Sequence, residues 1–399
     1  MRATTNSYLR PLFVHWWSVS FYILIYKTAS CLRHGNQVQR EESSESARPL
    51  LVKFLTLSPT TELTMPSSTS QKFETPFTTA ALNSDVAFWR SYIAARPTPT
   101  EDFFHLINAY HTGHGDPRTG VAHDVGTGPG NIAARLAQYF DRVVGSDVNE
   151  NALAAAPALV PAEHLKRMTF VKSPAEELAS GATPEEVGRG KTDLVVVSEC
   201  MPLLDAPKAL QAFHTLLRPG GTLAIYFYGR PVFADGDVAA CDAIYERIAT
   251  RICTFLLPFK GTPGFPFHAR GAEALVSYLD NIALPSEQWE GVERLKWNCD
   301  HPLLFNGKEG YDFEFAPVDR RGEGETSREV IDREFWAEEW DVERVKAYLG
   351  SVYPNYREKA GDRYSEVEGM LEELRAAMGG GEARRRVSFP VVLILATRK

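Results

Sequence analysis

The chain has 399 residues, of which 44% are hydrophobic and 24% charged, and a formal net charge of −8. That length buries a large core without disulfide or metal staples, and the balance fits neither wholesale disorder nor a polytopic membrane protein. The negative charge argues against a nucleic-acid partner, because no overall positive field would hold a phosphate backbone.

Residues 12–26 read LFVHWWSVSFYILIY, an apolar run of 15 residues. A bilayer calls for about 20 residues, so the run is short for a span, and no clear A-x-A cleavage site follows it. Residues 29–70 are rich in Ser, Thr, Glu and Arg without periodicity, which predicts disorder. Met65 is the expected working start, with residues 1–70 an N-terminal extension and 71–399 the folded domain. A cytoplasmic protein is expected, and anchorage or targeting through residues 12–26 is the alternative. The five cysteines, Cys31, Cys200, Cys241, Cys253 and Cys299, are scattered with no C-x-x-C pair, as suits a reducing compartment. His111, His114 and His123 cluster without cysteines or carboxylates at ligand spacing, so they read as loop histidines rather than a metal site.

From residue 120 onward, β-branched runs alternate with helical patterns, the signature of a parallel sheet covered on both faces. Strands are predicted at 121–125, 142–146, 168–171, 193–198 and 222–228, with helices beginning at Asn131, near Asn149 and over 207–217. Arg218-Pro-Gly-Gly221 should stop the last of these helices. Each gap between strands holds one crossover, and the right-handed crossover rule then gives a doubly wound α/β sheet.

The strongest local signal is H-D-V-G-T-G-P-G-N over 123–131, at the first strand-to-helix turn. Gly126, Gly128 and Gly130 allow positive φ and close approach of a ligand, and the loop ends at a helix N-terminus where N–H groups are unpaired. Asp147 closes strand two, where a carboxylate accepts the ribose hydroxyls of a nucleoside. Gly128, Gly130 and Ala133 also fit the G-x-G-x-x-A of dinucleotide sites. Two observations favour a sulfonium nucleoside over NAD. Asp124 stands where it would repel a pyrophosphate but would hold an ammonium, and no Tyr in the chain is followed by Lys four residues later.

D-V-G-T-G-P-G, the acidic end of strand two and L-R-P-G-G-T-L-A-I together resemble the class I S-adenosylmethionine-dependent methyltransferases. Within that class, R-S-Y-I-A-A-R-P-T-P-T-E-D-F-F, Y-H-T-G-H-G-D-P and V-S-F-P-V-V-L-I-L-A-T-R-K are similar to fungal enzymes of the trans-aconitate methyltransferase type. The resemblance implies a mostly parallel, seven-stranded Rossmann-like sheet, with a core over 117–230 and 380–399 and a helical cap over about 231–378. It also implies S-adenosylmethionine as cofactor. Asp124, Gly126, Thr127, Gly128 and Gly130 would lie at the methionine part, Asp147 and Val148 at the ribose and adenine, and Ala175 and Glu176 beside the adenine, with Ser198 completing the set. For Glu176 the competing reading is a carboxylate that satisfies a helix N-terminus. The chain departs from the family at S-E-C-M-P-L-L-D, 198–205, which points Glu199 and its neighbours at a different acceptor.

The 160 or so residues between strand five and the last strand should form a cap: helices over 235–255, 272–279, 334–349 and 365–378, an irregular aromatic stretch over 289–315, and a closing strand over 387–397 antiparallel at the sheet edge. Methyl transfer to a carboxylate requires no base, and a hydroxyl acceptor would draw on Glu199 or His268. A small organic acid would be clamped by an arginine, with Arg230 directly after strand five the candidate. Trp336 and Trp340, four apart, would share one helix face as cap packing. The expected function is O-methylation of a small-molecule acceptor, such as an organic acid. A non-catalytic cofactor-binding scaffold and an NAD-dependent oxidoreductase are the alternatives.

Overall fold

A computed structural model of the chain describes residues 85–115, 117–181, 183–256, 261, 265–302 and 314–399, and the expectations for the N-terminal extension lie outside them. Helices α1 (Val86–Ala95) and α2 (Glu101–Gly113) precede the sheet. Strands β1 (Val121–Val125), β2 (Arg142–Asp147), β3 (Met168–Lys172), β4 (Thr192–Ser198) and β5 (Leu217–Tyr228) follow. The helices between them are α3 (Asn131–Leu136), α4 (Glu150–Leu159), α5 (Ala162–Leu165) and α6 (Ala206–Leu216). Side-chain caps begin several of these helices: Asn149 accepts from the amides of Asn151 and Ala152, and Asp205 from that of Lys208.

The remainder comprises β6 (Val232–Phe233), α7 (Val238–Leu256), α8 (Phe265–Val276), β7 (Trp289–Trp297), β8 (Thr326–Val330), β9 (Glu338–Trp340), α9 (Val342–Val352), α10 (Tyr356–Ala360), α11 (Tyr364–Ala377), β10 (Arg385–Ser388) and β11 (Val391–Arg398). The main sheet runs β3-β2-β1-β4-β5-β11-β7-β8, and β6, β10 and β9 form a separate small sheet. Strands β1 to β5 are mutually parallel, β11 runs antiparallel to both β5 and β7, and β8 is parallel to β7.

Alternation along the central strands fills two cores. Leu194, Val196, Ala224, Tyr226, Leu393 and Leu395 face one side with residues of α2, α3, α7 and α11. Val195, Val197, Ile225, Phe227, Val392 and Ile394 face the other with residues of α6 and α8. Each Val, Leu, Ile or Phe among them contributes about 1.5–3 kcal/mol on burial, which is what fixes the register against slippage.

Several expectations are corrected. The main sheet has eight strands rather than seven, because β7 and β8 emerge from the stretch expected to be a helical cap. Trp289–Trp297 is a strand, not irregular. The closing segment is two strands broken at Phe389-Pro390, since proline has no N–H for a ladder; β10 joins the small sheet, and β11 is interior, between β5 and β7. Arg218 to Gly221 lies within the long β5 instead of in a turn, although α6 does stop at Leu216. Trp340 lies in β9 and Trp336 in a turn at φ 56, so the two do not share a helix face. His111 and His123 are buried on α2 and β1 rather than in loops, His111 bonded to Thr222 Oγ1 and the Arg118 carbonyl, His123 to Ser146 Oγ.

Candidate active site

β1 pairs with β2 on one side and β4 on the other, so successive crossovers leave it in opposite directions and open a crevice at the carboxyl ends of these strands. The glycine loop occupies that crevice. The amides of Gly126 and Thr127 donate to the Ser146 carbonyl at 2.8 and 2.9 Å, which folds the loop back over the end of β2. Gly126 has φ 71, and a Cβ there would stand 2.6 Å from Cys200 Sγ, so the loop and the residue after Glu199 are packed as one piece. Gly128 has φ 53 and open space where a Cβ would be.

Asp124 is fully buried at the base of the loop. Its Oδ2 accepts from Thr127 Oγ1 at 2.6 Å, whereas its Oδ1 is buried without a hydrogen-bond partner. Burial pushes its carboxyl up to about 7, against the Thr127 hydrogen bond and the pull of the Ala133 backbone N–H, with nearby Asp147 raising it further. Asp147 accepts from the Gly128 amide on Oδ2 and the Asn149 amide on Oδ1, both at 2.8 Å, and burial raises it against those bonds. Each carboxylate oxygen has two lone-pair sites, so both remain able to accept a ligand hydroxyl. Val148, next along, is 49% exposed, an apolar side chain left open on the crevice.

The other expected cofactor residues border the same ends. Ala175 is buried at the start of the 3-10 turn Ala175–Ser180, and Glu176 Oε1 accepts from the Asp205 amide at 2.9 Å, tying that turn to the cap of α6. Glu176 thus does structural work at a helix start. Ser198 Oγ donates to the Tyr226 hydroxyl at 2.6 Å.

Beyond them, Glu199 adopts φ 62, a left-handed conformation that a non-glycine residue holds only where its surroundings enforce it. Its amide donates to the Tyr226 carbonyl at 3.0 Å, and its Oε1 accepts from the Tyr228 amide at 2.7 Å. Burial pushes Glu199 up to about 8, opposed by the charge of Arg96 and the Tyr228 amide. Trp336 packs edge-on to Phe103 and Tyr226 and tilted against Tyr228, completing an aromatic wall whose rings are almost wholly buried. The Arg230 side chain is largely covered and points its Nη1 at Asp242 Oδ1 of α7, 3.4 Å away, with Asp242 also accepting from the Phe233 amide. His268, on α8, is held down to about 4 by burial and so is neutral. Arg96 and Tyr228 escape the sequence reading, which has Trp336 only as cap packing. Arg96 carried one signal, the Arg-Pro pair that closes α1, since a residue before proline is driven out of helical geometry.

Three acids with raised affinity for protons therefore gather around Cys200 at the carboxyl ends of β1, β2 and β4, and the causes acting on Asp124 and Asp147 include no positive charge. Such a cradle disfavours a pyrophosphate and suits a cationic ligand, and the orphan Asp124 oxygen and the open backbone at Gly128 match S-adenosylmethionine rather than NAD. Fold and site define a class I S-adenosylmethionine-dependent methyltransferase.

Comparison with known proteins agrees. Residues 122–221 match the family model described as a methyltransferase domain. The chain is 62% identical over 339 residues to Methyltransferase ptaI of Pestalotiopsis fici, covering 84% of this chain and 100% of that one. It is 41% identical over 323 residues to Methyltransferase pgmE of Aspergillus terreus, covering 78% and 93%, and 38% identical over 320 residues to Methyltransferase cfoB of Aspergillus candidus, covering 79% and 95%. The chain belongs to this methyltransferase family, and S-adenosylmethionine is its cofactor. Among the described residues, no helix is long and apolar enough to cross a membrane, and no group of three His, Cys, Asp or Glu side chains is placed to hold a metal ion.

Proposed function

We propose that this enzyme methylates an oxygen of a small organic acid, with the acceptor bound as its carboxylate beside Glu199. The observation that carries the reading is the state of Glu199. With its carboxyl pushed up to about 8, it is protonated at neutral pH and serves as a hydrogen-bond donor at the carboxyl end of β4. A neutral acid accepts an anion as neighbour where an ionised one would repel it. The resemblance to the trans-aconitate methyltransferase type supports the same acceptor class, and the net charge of −8 supports a small molecule over nucleic acid. We place the reaction in the cytosol.

S-adenosylmethionine supplies a methyl group on a sulfonium sulfur. One acceptor oxygen gains the C–O bond as the S–C bond breaks, the electron pair passes to sulfur, and a carboxylate releases no proton. The chain's part is placement and exclusion of water: Asp124 for the ammonium, Asp147 for the ribose hydroxyls, Val148 and Ala175 for the adenine, and the aromatic wall for the acceptor.

The same Glu199 supports a second reading, in which it is ionised and takes the proton of a hydroxyl acceptor. The two differ in their pH dependence. Groups facing Glu199 are Arg96, Tyr226, Tyr228, Tyr348 and Cys200. Activity with labelled donor and a panel of organic acids, their amides and phenols is expected to yield methyl esters, with kcat/KM falling as pH rises through about 8. Methyl ethers only, with activity rising through that pH, would replace the first reading by the second.

A further inference from the structure

Arg96 caps the C-terminal end of α1 in extended conformation, just before Pro97, and its side chain reaches the aromatic wall. Nη1 donates to the Tyr228 hydroxyl at 2.8 Å, Nη2 to the Ser351 carbonyl at 3.0 Å, and the guanidinium lies 4.8 Å from the centre of the Tyr92 ring. Its Nε is buried and has no acceptor, as is also true of Arg230, so what sets Arg96 apart is the missing carboxylate. Other interior arginines are matched by carboxylates: Arg218 by Asp193, Arg230 by Asp242, Arg294 by Glu325. Among the described residues no carboxylate lies within ion-pair distance of Arg96; its polar contacts are a phenol and a carbonyl. Glu199, the acid whose titration Arg96 influences, is protonated at neutral pH and does not neutralise it.

A shielded guanidinium with an orphan N–H and no counter-ion is costly unless an anion joins it. We propose that Arg96, not Arg230, is the acceptor clamp: it receives the carboxylate of the substrate, with Tyr228 and Glu199 flanking it. The assignment rests on the reading of the acceptor as an organic acid. It explains three otherwise separate facts: the guanidinium without a carboxylate, the left-handed backbone that swings Glu199 onto the Tyr228 amide, and the engagement of Arg230 by Asp242. α1 thereby contributes to specificity. The class of acceptor is a compact carboxylate whose remainder is flat enough to lie along Tyr226, Tyr228 and Trp336.

The test uses the full chain loaded with S-adenosylhomocysteine, and benzoate and benzamide as isosteric probes in calorimetric titrations. The wild type is expected to bind benzoate at least tenfold tighter than benzamide; Arg96→Gln should abolish that preference, Arg96→Lys should keep part of it, and Arg230→Gln should leave it in place. Because Arg96 also holds the Ser351 carbonyl, unchanged S-adenosylhomocysteine affinity certifies that each variant is folded. Should Arg96→Gln fail that control, Arg96→Lys, which keeps the charge, is read instead: it must bind benzoate more weakly than the wild type while still preferring it to benzamide. A wild type that does not distinguish the probes, an Arg96→Gln protein that still prefers benzoate, or an Arg96→Lys protein that binds benzoate as tightly as the wild type would overturn the assignment. If the wild type forms methyl esters in the acid panel while Arg96→Gln keeps the benzoate preference, the clamp fails and the organic-acid reading stands. If only methyl ethers form, that reading fails first.

Discussion

Two regions of this molecule bury charge, and they do so in opposite ways. Under β7, Arg294 is fully shielded and spends its donors on Glu325 at 2.6 Å and on the carbonyls of Leu279 and Ile282 at 3.0 and 2.7 Å, while Lys296 meets Asp280 at 2.6 Å and Glu329 at 3.3 Å. At the carboxyl ends of β1, β2, β4 and β5, by contrast, Asp124 keeps an orphan oxygen, Glu199 binds a proton, and Arg96 has no carboxylate. In the first region every buried cation has a carboxylate of this chain beside it, and the one orphan carboxylate oxygen, Asp280 Oδ1, still faces Arg294 at 4.0 Å. The second leaves an acid and a cation without partners in the chain, and the function proposed above assigns those partners to the cofactor and the acceptor.

The sharpest way to break the comparison is to damage the closed network. Glu325→Gln strands the Arg294 charge in the interior, which should cost about 3–5 kcal/mol of stability. Urea unfolding reads the loss, and S-adenosylmethionine affinity of the protein that remains folded should stay within about twofold. A variant of normal stability with weakened cofactor binding would show that the β7 charges belong to the site. The opposite pattern is expected at the open end. Asp147→Ala should lower S-adenosylmethionine affinity by about 10- to 100-fold, the loss of charge-assisted bonds to the ribose. Calorimetry decides, and unchanged affinity would remove Asp147 from the cofactor's partners.

The same contrast explains what could be read from the sequence. β1 to β5 were legible because their faces are packed by Val, Ile, Leu and Ala, and the strand ends at 125, 147, 198 and 228 fall at or next to the expected positions. The glycine loop and both of its acids were legible because tight turns demand particular residues. β7 was not. In W-E-G-V-E-R-L-K-W the alternation is broken by Gly291 and by Arg294 and Lys296, whose burial depends on acids supplied by 280, 325 and 329. No local pattern announces a partner 31 residues away. For the same reason Arg96 was quoted only as part of a motif: the wall it faces is assembled from β5, α9 and the turn at Trp336. Arg230, chosen from its place after β5, has its anion in α7, in the next segment of chain.

A smaller effect sharpens the comparison within the open region itself. Burial raises Asp124 to about 7, so in the empty fold the protonated form is preferred, and its contribution to stability is full below the ordinary aspartate range near pH 4 and is lost as pH rises through about 7. An ammonium placed at the orphan oxygen reverses that preference, because it interacts with the ionised carboxylate. S-adenosylmethionine affinity should then climb with pH by up to about tenfold per unit below the Asp124 pKa and level off above it. Binding at pH 6 should expel up to one proton, and binding at pH 8 almost none; titrations in two buffers of different ionisation enthalpy count it. Asp147 also titrates upward nearby, so the Asp124→Asn variant is the control: it should flatten the slope while leaving the ribose contact in place. A slope that survives in Asp124→Asn would assign the proton to Asp147, and would leave the buried oxygen of Asp124 filled by water rather than by the cofactor's ammonium.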